Sequence, residues 1–181
     1  KLGMYSVEQA LASAGNPQSK NVGVIFSSLG TTAQMRIDCS KAIIENKKRY
    51  SPQAIIENIP DYLAGSICKT YGYEELSICV QSACSTGLSS IDVAIRYLDD
   101  YDFMIVGASD TMCDAFNIYT FQSLQALSTT GTRPFDTGRD GFVYGEGAGC
   151  LILEREDKAK ARNAKIYGYV GGVGTANDCY S

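Results

Sequence analysis

Between Leu76 and Leu98 the hydrophobic period of this chain changes, and that change limits the folds open to it. Leu76–Val80 is a short apolar, β-branched run of strand length. From Leu88 the apolar residues fall at Leu88, Ile91, Ile95 and Leu98, the stripe of an amphipathic helix. A strand therefore hands over to a helix, and Cys84 sits at the junction among Ser82, Ala83, Ser85, Thr86 and Gly87. The first turn of a helix presents unpaired N–H groups and the positive end of the peptide dipole, which favour a thiolate over a thiol. Small neighbours let a thioester approach and leave backbone donors to face an oxyanion. Without further context the reading of Cys84 as a small buried hydrophobe, as most free cysteines are, would prevail.

Taken in order, the rest of the chain alternates strands and helices. Ser6-Val-Glu-Gln9 has the form of a capping box, with Val7, Ala10, Leu11 and Ala14 on one face and Gly15-Asn-Pro17 as the stop. Val22–Ser28 reads as a strand covered on both faces. Met35–Lys47 reads as helical, Ser51-Pro52 starts a short helix that Pro60 breaks, and Asp61 starts another that ends at Gly72. Phe103–Val106, Cys150–Leu153 and Ile166–Val170 read as strands. Ala115–Leu127 reads as loop and helix, and Arg155–Ala164 as a charged surface helix. Such alternation implies an α/β domain with a mainly parallel sheet.

Composition excludes several functions. The 181 residues hold seven cysteines without a Cys-x-x-Cys pair and no histidine. That fits neither a disulfide framework nor a Cys/His metal site, and suits a reducing, cytoplasmic setting. A net charge of −4 argues against nucleic acid as the main partner, and no apolar run reaches the length of a membrane span. Gly145-Glu-Gly-Ala-Gly149 leads into a strand, and the Gly171 cluster has no helix after it, so neither is a dinucleotide-binding turn.

The nucleophile segment Ser82-Ala-Cys-Ser-Thr-Gly87, followed by Ala126-Leu-Ser-Thr129 and then by Arg133-Pro-Phe-Asp…Arg139-Asp-Gly-Phe-Val…Gly145-Glu-Gly-Ala-Gly149, resembles the β-ketoacyl synthases of fatty-acid and polyketide synthesis. The resemblance implies a thiolase-like α/β fold, a mainly parallel mixed sheet with covering helices, of which residues 1–181 form roughly one half as a single N-terminal portion. It implies that Cys84 accepts an acyl group from a thioester. The decarboxylative condensation with a malonyl-carrier thioester would then rest on two histidines and a lysine lying outside this chain. No cofactor is implied, the substrates being carried on the phosphopantetheine of an acyl carrier protein.

Other residues follow from the same resemblance. Ala83 matches a wall of the acyl pocket. Phe121 matches an aromatic that gates that pocket, with ordinary core as the alternative. Lys47, Lys48 and Arg49 match a basic patch that receives the carrier protein, with a solvated helix end as the alternative. Arg133, Asp136, Arg139 and Asp140 read as a structural ion-pair turn, and the charges from Arg155 to Lys165 as a solvated face. The family implies a homodimer, or a heterodimer of ketosynthase-like chains, together with the C-terminal half of the same enzyme. Rival readings are a non-catalytic partner subunit of the chain-length-factor type and a coenzyme-A-dependent thiolase-type acyltransferase. A cysteine hydrolase lacks its histidine base.

Overall fold

Strand β1 (Val22–Ser28) turns Val22, Val24 and Phe26 to one side and Ile25 to the other, and all four are buried. A strand with both faces apolar needs a layer on each, and the chain supplies them. The computed structural model describes residues 1–28, 33–47, 51–177 and 179, with the backbone alone at 33 and 34. The elements run α1 (Leu2–Ser13), β1, α2 (Ala33–Ile44), α3 (Gln53–Glu57), α4 (Tyr62–Tyr71), β2 (Ser77–Ile78), α5 (Thr86–Tyr97), β3 (Phe103–Asp110), α6 (Ala115–Ser123), β4 (Gly147–Leu153) and α7 (Glu156–Ala161).

The sheet has four strands in the order β2-β1-β3-β4. The β1 pairings with β2 and β3 are parallel, and β3 with β4 is antiparallel. On one face α1 and α4 pack Val7, Leu11, Leu63 and Ile67 against Val24, Phe26, Phe103 and Ile105. On the other, α5 covers Ile25, Met104 and Val106. Gly107, paired with Phe26 across the β1–β3 ladder, has no room for a side chain: a Cβ there would stand 2.5 Å from the Phe26 ring and would also strike the Gly149 carbonyl on β4.

Several sequence expectations shift. Helix α1 begins at Leu2, four residues ahead of the capping-box serine, so Ser6 lies inside it and donates to the Gly3 carbonyl at 2.8 Å. Asp61 precedes α4 but makes no side-chain cap, and burial raises its carboxyl above the usual carboxylate range. Gly72, in the left-handed conformation at φ 70, ends α4 as expected. Only Ser77–Ile78 of the Leu76–Val80 run forms ladder, because beyond it the Val80 N–H donates to the Ser27 side chain at 3.0 Å instead of to main chain.

The stripe on α5 is also turned from its expected direction. The helix buries Thr86, Ser90 and Ala94, four residues apart, and these small side chains let its axis approach the sheet. Ile91, Val93 and Leu98 flank that line half-buried, while Leu88 is 68% and Ile95 37% exposed. Ile166–Val170 forms no strand among the described residues; Tyr167 there shares a 2.7 Å hydrogen bond with Ser13 at the end of α1. Arg162 lies on no solvated face: it forks onto Glu154 and donates to the Ala14 carbonyl at 2.7 Å, clamping α7 to α1. No helix among the described residues is long and apolar enough to cross a membrane.

Candidate active site

Parallel strands β1, β2 and β3 all deliver their C-terminal ends to one side of the sheet. β2 runs directly into the Cys84 turn there, and that turn hangs from β1. Besides the Val80–Ser27 bond, Gln81 Nε2 donates to the Ser28 carbonyl at 3.1 Å. Ala83–Ser85 then makes a single 3-10 turn that continues into α5. Its small polar residues build the turn as well as leaving it open. The Ser82 N–H donates to Thr86 Oγ1 at 3.0 Å, the Ser82 hydroxyl to Ser89 Oγ at 2.7 Å, and the Ser85 hydroxyl to the Ser82 carbonyl at 2.8 Å.

Cys84 is exposed at the mouth of this turn, not buried. Its N–H has no hydrogen-bond partner among the described residues, whereas the N–H groups of Ser85 and Thr86 are taken by the Ser82 and Ala83 carbonyls. Ala83, beside it and also exposed, has φ +50. A left-handed residue with a Cβ costs about 1–2 kcal/mol, so the surrounding hydroxyl network holds a strained bend that turns Cys84 outward.

Phe121, on α6, is half-buried in an aromatic cluster: edge-on to Phe142 with centroids 5.2 Å apart, and tilted against Tyr144 at 5.3 Å. Phe142 is placed by a bridge in which its N–H donates to the Ala126 carbonyl and its carbonyl accepts the Ser128 N–H. The bridge requires Gly141, at φ +144, because a Cβ there would lie 2.6 Å from the Ser128 nitrogen. Asp140 anchors the same loop. It accepts the Ser128 and Thr130 hydroxyls and an Arg133 N–H, so that hydrogen bonds and the Arg133 charge hold its carboxyl below the usual range. Arg133–Asp140 is thus the ion pair of this turn; Asp136 instead accepts the Gly138 N–H, and Arg139 donates to the Asp136 carbonyl.

Tyr144 and three carboxylates at this end of the sheet went unmarked at the sequence level. Tyr144 precedes Gly147, which pairs with Asp110 at the end of β3. Burial, then Asp110, Cys113, Asp114 and Cys84, push its phenol above the ordinary value. Asp110 has one buried carboxylate oxygen without a hydrogen-bond partner, and burial, aided by Glu146, raises its carboxyl. Glu146 accepts the Cys113 N–H at 3.2 Å, and Asp114 caps α6 through the Asn117 N–H at 3.0 Å. These acids had no signal, since their approach depends on the β3–β4 pairing. Tyr144 had one, two residues from Phe142 within Phe-Val-Tyr.

A cleft of about 380 Å³ opens beside the first turn of α5, lined by Gly87, Ile91, Val106, Ala108, Gly149 and Leu151. A larger groove of about 430 Å³ lies away from Cys84, between the ends of α1 and α4. Lys47 is exposed and pairs with Glu45 at 2.7 Å, while Lys48 and Arg49 lie outside the described residues. Among the described residues no three His, Cys, Asp or Glu side chains are grouped to hold a metal.

Residues 1–159 match the family model for the β-ketoacyl synthase N-terminal domain. The chain is 34% identical over 183 aligned positions to 3-oxoacyl-[acyl-carrier-protein] synthase 2 of Staphylococcus aureus (strain N315), covering 97% of this chain and 44% of that protein. It is 32% identical to the protein of the same name from Vibrio cholerae, covering 98% of this chain and 45% of the relative. It therefore spans a little under half the length of these relatives. Among solved structures, a type II polyketide ketosynthase in complex with its acyl carrier protein and bound to the hexaketide superposes with a TM-score of 0.80 at 26% identity, covering 92% of this chain and 45% of that one. A β-ketoacyl synthase from Burkholderia phymatum superposes at 0.78 with 25% identity, covering 90% and 43%.

Proposed function

The chain belongs to the β-ketoacyl synthase family, with a thiolase-like fold, and on that premise we propose that Cys84 is the acyl-accepting nucleophile of a condensing enzyme. The observation that carries this reading is an exposed cysteine at the N-terminal end of α5 whose own N–H has no partner among the described residues. The Cys84 sulfur, as thiolate, attacks the carbonyl carbon of an acyl thioester. Negative charge moves to the carbonyl oxygen, where the Cys84 N–H and the N-terminal end of α5 receive it. The intermediate collapses with cleavage of the donor's C–S bond, the acyl group stays on Cys84, and the departing thiolate takes up the proton that Cys84 gave away. Phe121, Phe142 and Ala83 border the acyl chain.

The second half-reaction needs groups this sequence does not contain. Decarboxylation of a malonyl thioester calls for donors to the developing enolate oxygen, and the chain has no histidine. The resemblance assigns that step to two histidines and a lysine in the remaining length of the family's chain. Leu88 and Ile95 on α5, with Leu151 on β4, form the apolar surface this remaining half would cover. The donor is an acyl carrier protein, as in the solved polyketide complex, approaching the Lys47–Arg49 segment; a second copy of the chain lies against the free edge of β2.

The test is to incubate the chain, beside Cys84→Ala, with an acyl thioester and with the epoxide inhibitor cerulenin, and to locate the adducts by mass spectrometry. The reading expects modification of Cys84 ahead of the six other cysteines. Uniform labelling, or none at Cys84, in the natural chain that contains these residues would favour the non-catalytic partner subunit.

A further inference from the structure

The Phe121–Phe142–Tyr144 cluster, at the same end of the sheet as the Cys84 turn, is apolar except at one point. Phe121 and Phe142 offer only ring faces and edges, but the third member, 5.3 Å from Phe121 and 6.1 Å from Phe142, is a tyrosine. Its ring is half-buried, and its hydroxyl has no hydrogen-bond partner among the described residues. Tyr144 also stands at the Cys84 end of the sheet, three residues before the Gly147–Asp110 pair that closes the β3–β4 ladder. A donor set in an otherwise apolar wall beside a nucleophile discriminates between ligands, because a ligand without an acceptor leaves that donor unsatisfied.

We propose that Tyr144 is a specificity-determining residue for the acyl group on Cys84: its hydroxyl, the one hydrogen-bond donor of the Phe121–Phe142–Tyr144 cluster, selects acyl chains that carry a β-keto oxygen over saturated chains of the same length. This rests on the reading of Cys84 as acyl acceptor and of Phe121 as a wall of its pocket. The hydroxyl keeps its proton at neutral pH, since burial first, and then the surrounding Asp110, Cys113, Asp114 and Cys84, hold the phenol above its ordinary value. It is therefore a donor, and a carbonyl oxygen is its natural acceptor. A fully reduced hydrocarbon chain meets the two phenylalanines equally well but leaves the tyrosine O–H unpaired.

The test compares acetoacetyl and butyryl thioesters, which differ only in the β-oxygen, as donors to Cys84. Acylation is followed by mass spectrometry in the wild type, Tyr144→Phe and Phe121→Leu, in the natural chain containing these residues, with melting curves to verify folding. In Tyr144→Phe the ratio of kcat/KM for acetoacetyl over butyryl falls by roughly 3- to 10-fold, the size of one hydrogen bond, and the change appears in KM. In Phe121→Leu both donors change together and the ratio stays within about twofold of wild type. The proposal is overturned if the ratio in Tyr144→Phe equals that of wild type, or if Phe121→Leu shifts it as far, which would make it an effect of ring packing. Failure of both donors to acylate wild-type Cys84 would instead overturn the acyl-acceptor reading, and this inference with it.

Discussion

Ser27, fully buried at the end of β1, accepts the Val80 N–H at 3.0 Å and so fixes the turn that presents Cys84 four residues later. A side chain in the sheet's interior thus sets the position of an exposed cysteine at the surface. Replacing Ser27 with alanine keeps the strand but strands the Val80 N–H, at a cost of about 1–3 kcal/mol. Ser27→Ala is expected to lower the unfolding free energy measured in urea by that amount and to slow acylation of Cys84, while Ser27→Thr, which retains the acceptor, recovers acylation. Equal acylation rates in wild type and Ser27→Ala would show that the turn is held from elsewhere.

Gly107 on β3 and Gly149 on β4 lie one register step apart across the ladder but differ in what a methyl group would meet. At Gly107 the added Cβ runs into the Phe26 ring and the Gly149 carbonyl; at Gly149 it finds nothing within 4 Å. Gly107→Ala is therefore expected to destabilise by about 1–3 kcal/mol through overpacking, and Gly149→Ala to change stability by less than about 0.5 kcal/mol. Denaturant midpoints of the two variants check the contrast, and equal losses would contradict the close fit of Phe26 and the Gly149 carbonyl around Gly107.

What could be read from sequence was local. The continuous apolar run of Val22–Ser28 marked a strand buried on both faces, Gly72 marked the end of a helix, and the change of period around Cys84 marked the junction that the structure contains. What could not be read depended on distant partners. The stripe Leu88, Ile91, Ile95, Leu98 identified a helix, but not that Thr86, Ser90 and Ala94 would be its buried line, because close approach to β1 and β3 selects small residues over large ones. Ile166–Val170 has strand composition but pairs with no strand among the described residues. Tyr144 and Asp110 come together only through the β3–β4 register, although they lie over thirty positions apart in sequence.

Asp102 links three segments, accepting from the Ser19 hydroxyl at 2.6 Å and from Lys158 at 2.9 Å. The Ser19 hydrogen bond first, and then Lys158, hold its carboxyl below the usual range. A carboxyl lowered on folding contributes stability that is fully present above its unfolded value, near 4, and is lost as pH falls through the lower folded value. Both partners are more than a third exposed, at 37% and 48%, so solvent keeps the contribution small. The stability difference between wild type and Asp102→Asn is expected to be largest at neutral pH and to shrink below about pH 4. Urea titrations at several pH values measure it, and a gap that widened in acid would reverse the assignment.

The cysteines provide a test of the site that needs no substrate, because their surroundings rank them. Cys150 is pushed up to about 12 by burial, and burial also raises Cys68. Cys113 is exposed, yet its thiol is raised, by desolvation first and then by Glu146, Asp110 and Asp114. Cys84 is equally exposed, but its immediate neighbours Ser82, Ser85 and Thr86 carry no charge. Alkylation proceeds through the thiolate, so limiting iodoacetamide at neutral pH is expected to modify Cys84 before Cys113, and to reach Cys68 and Cys150 only after unfolding. If Cys113 kept pace with Cys84, the acidic surroundings assigned to the end of β3 would be wrong, and with them the environment described for Tyr144.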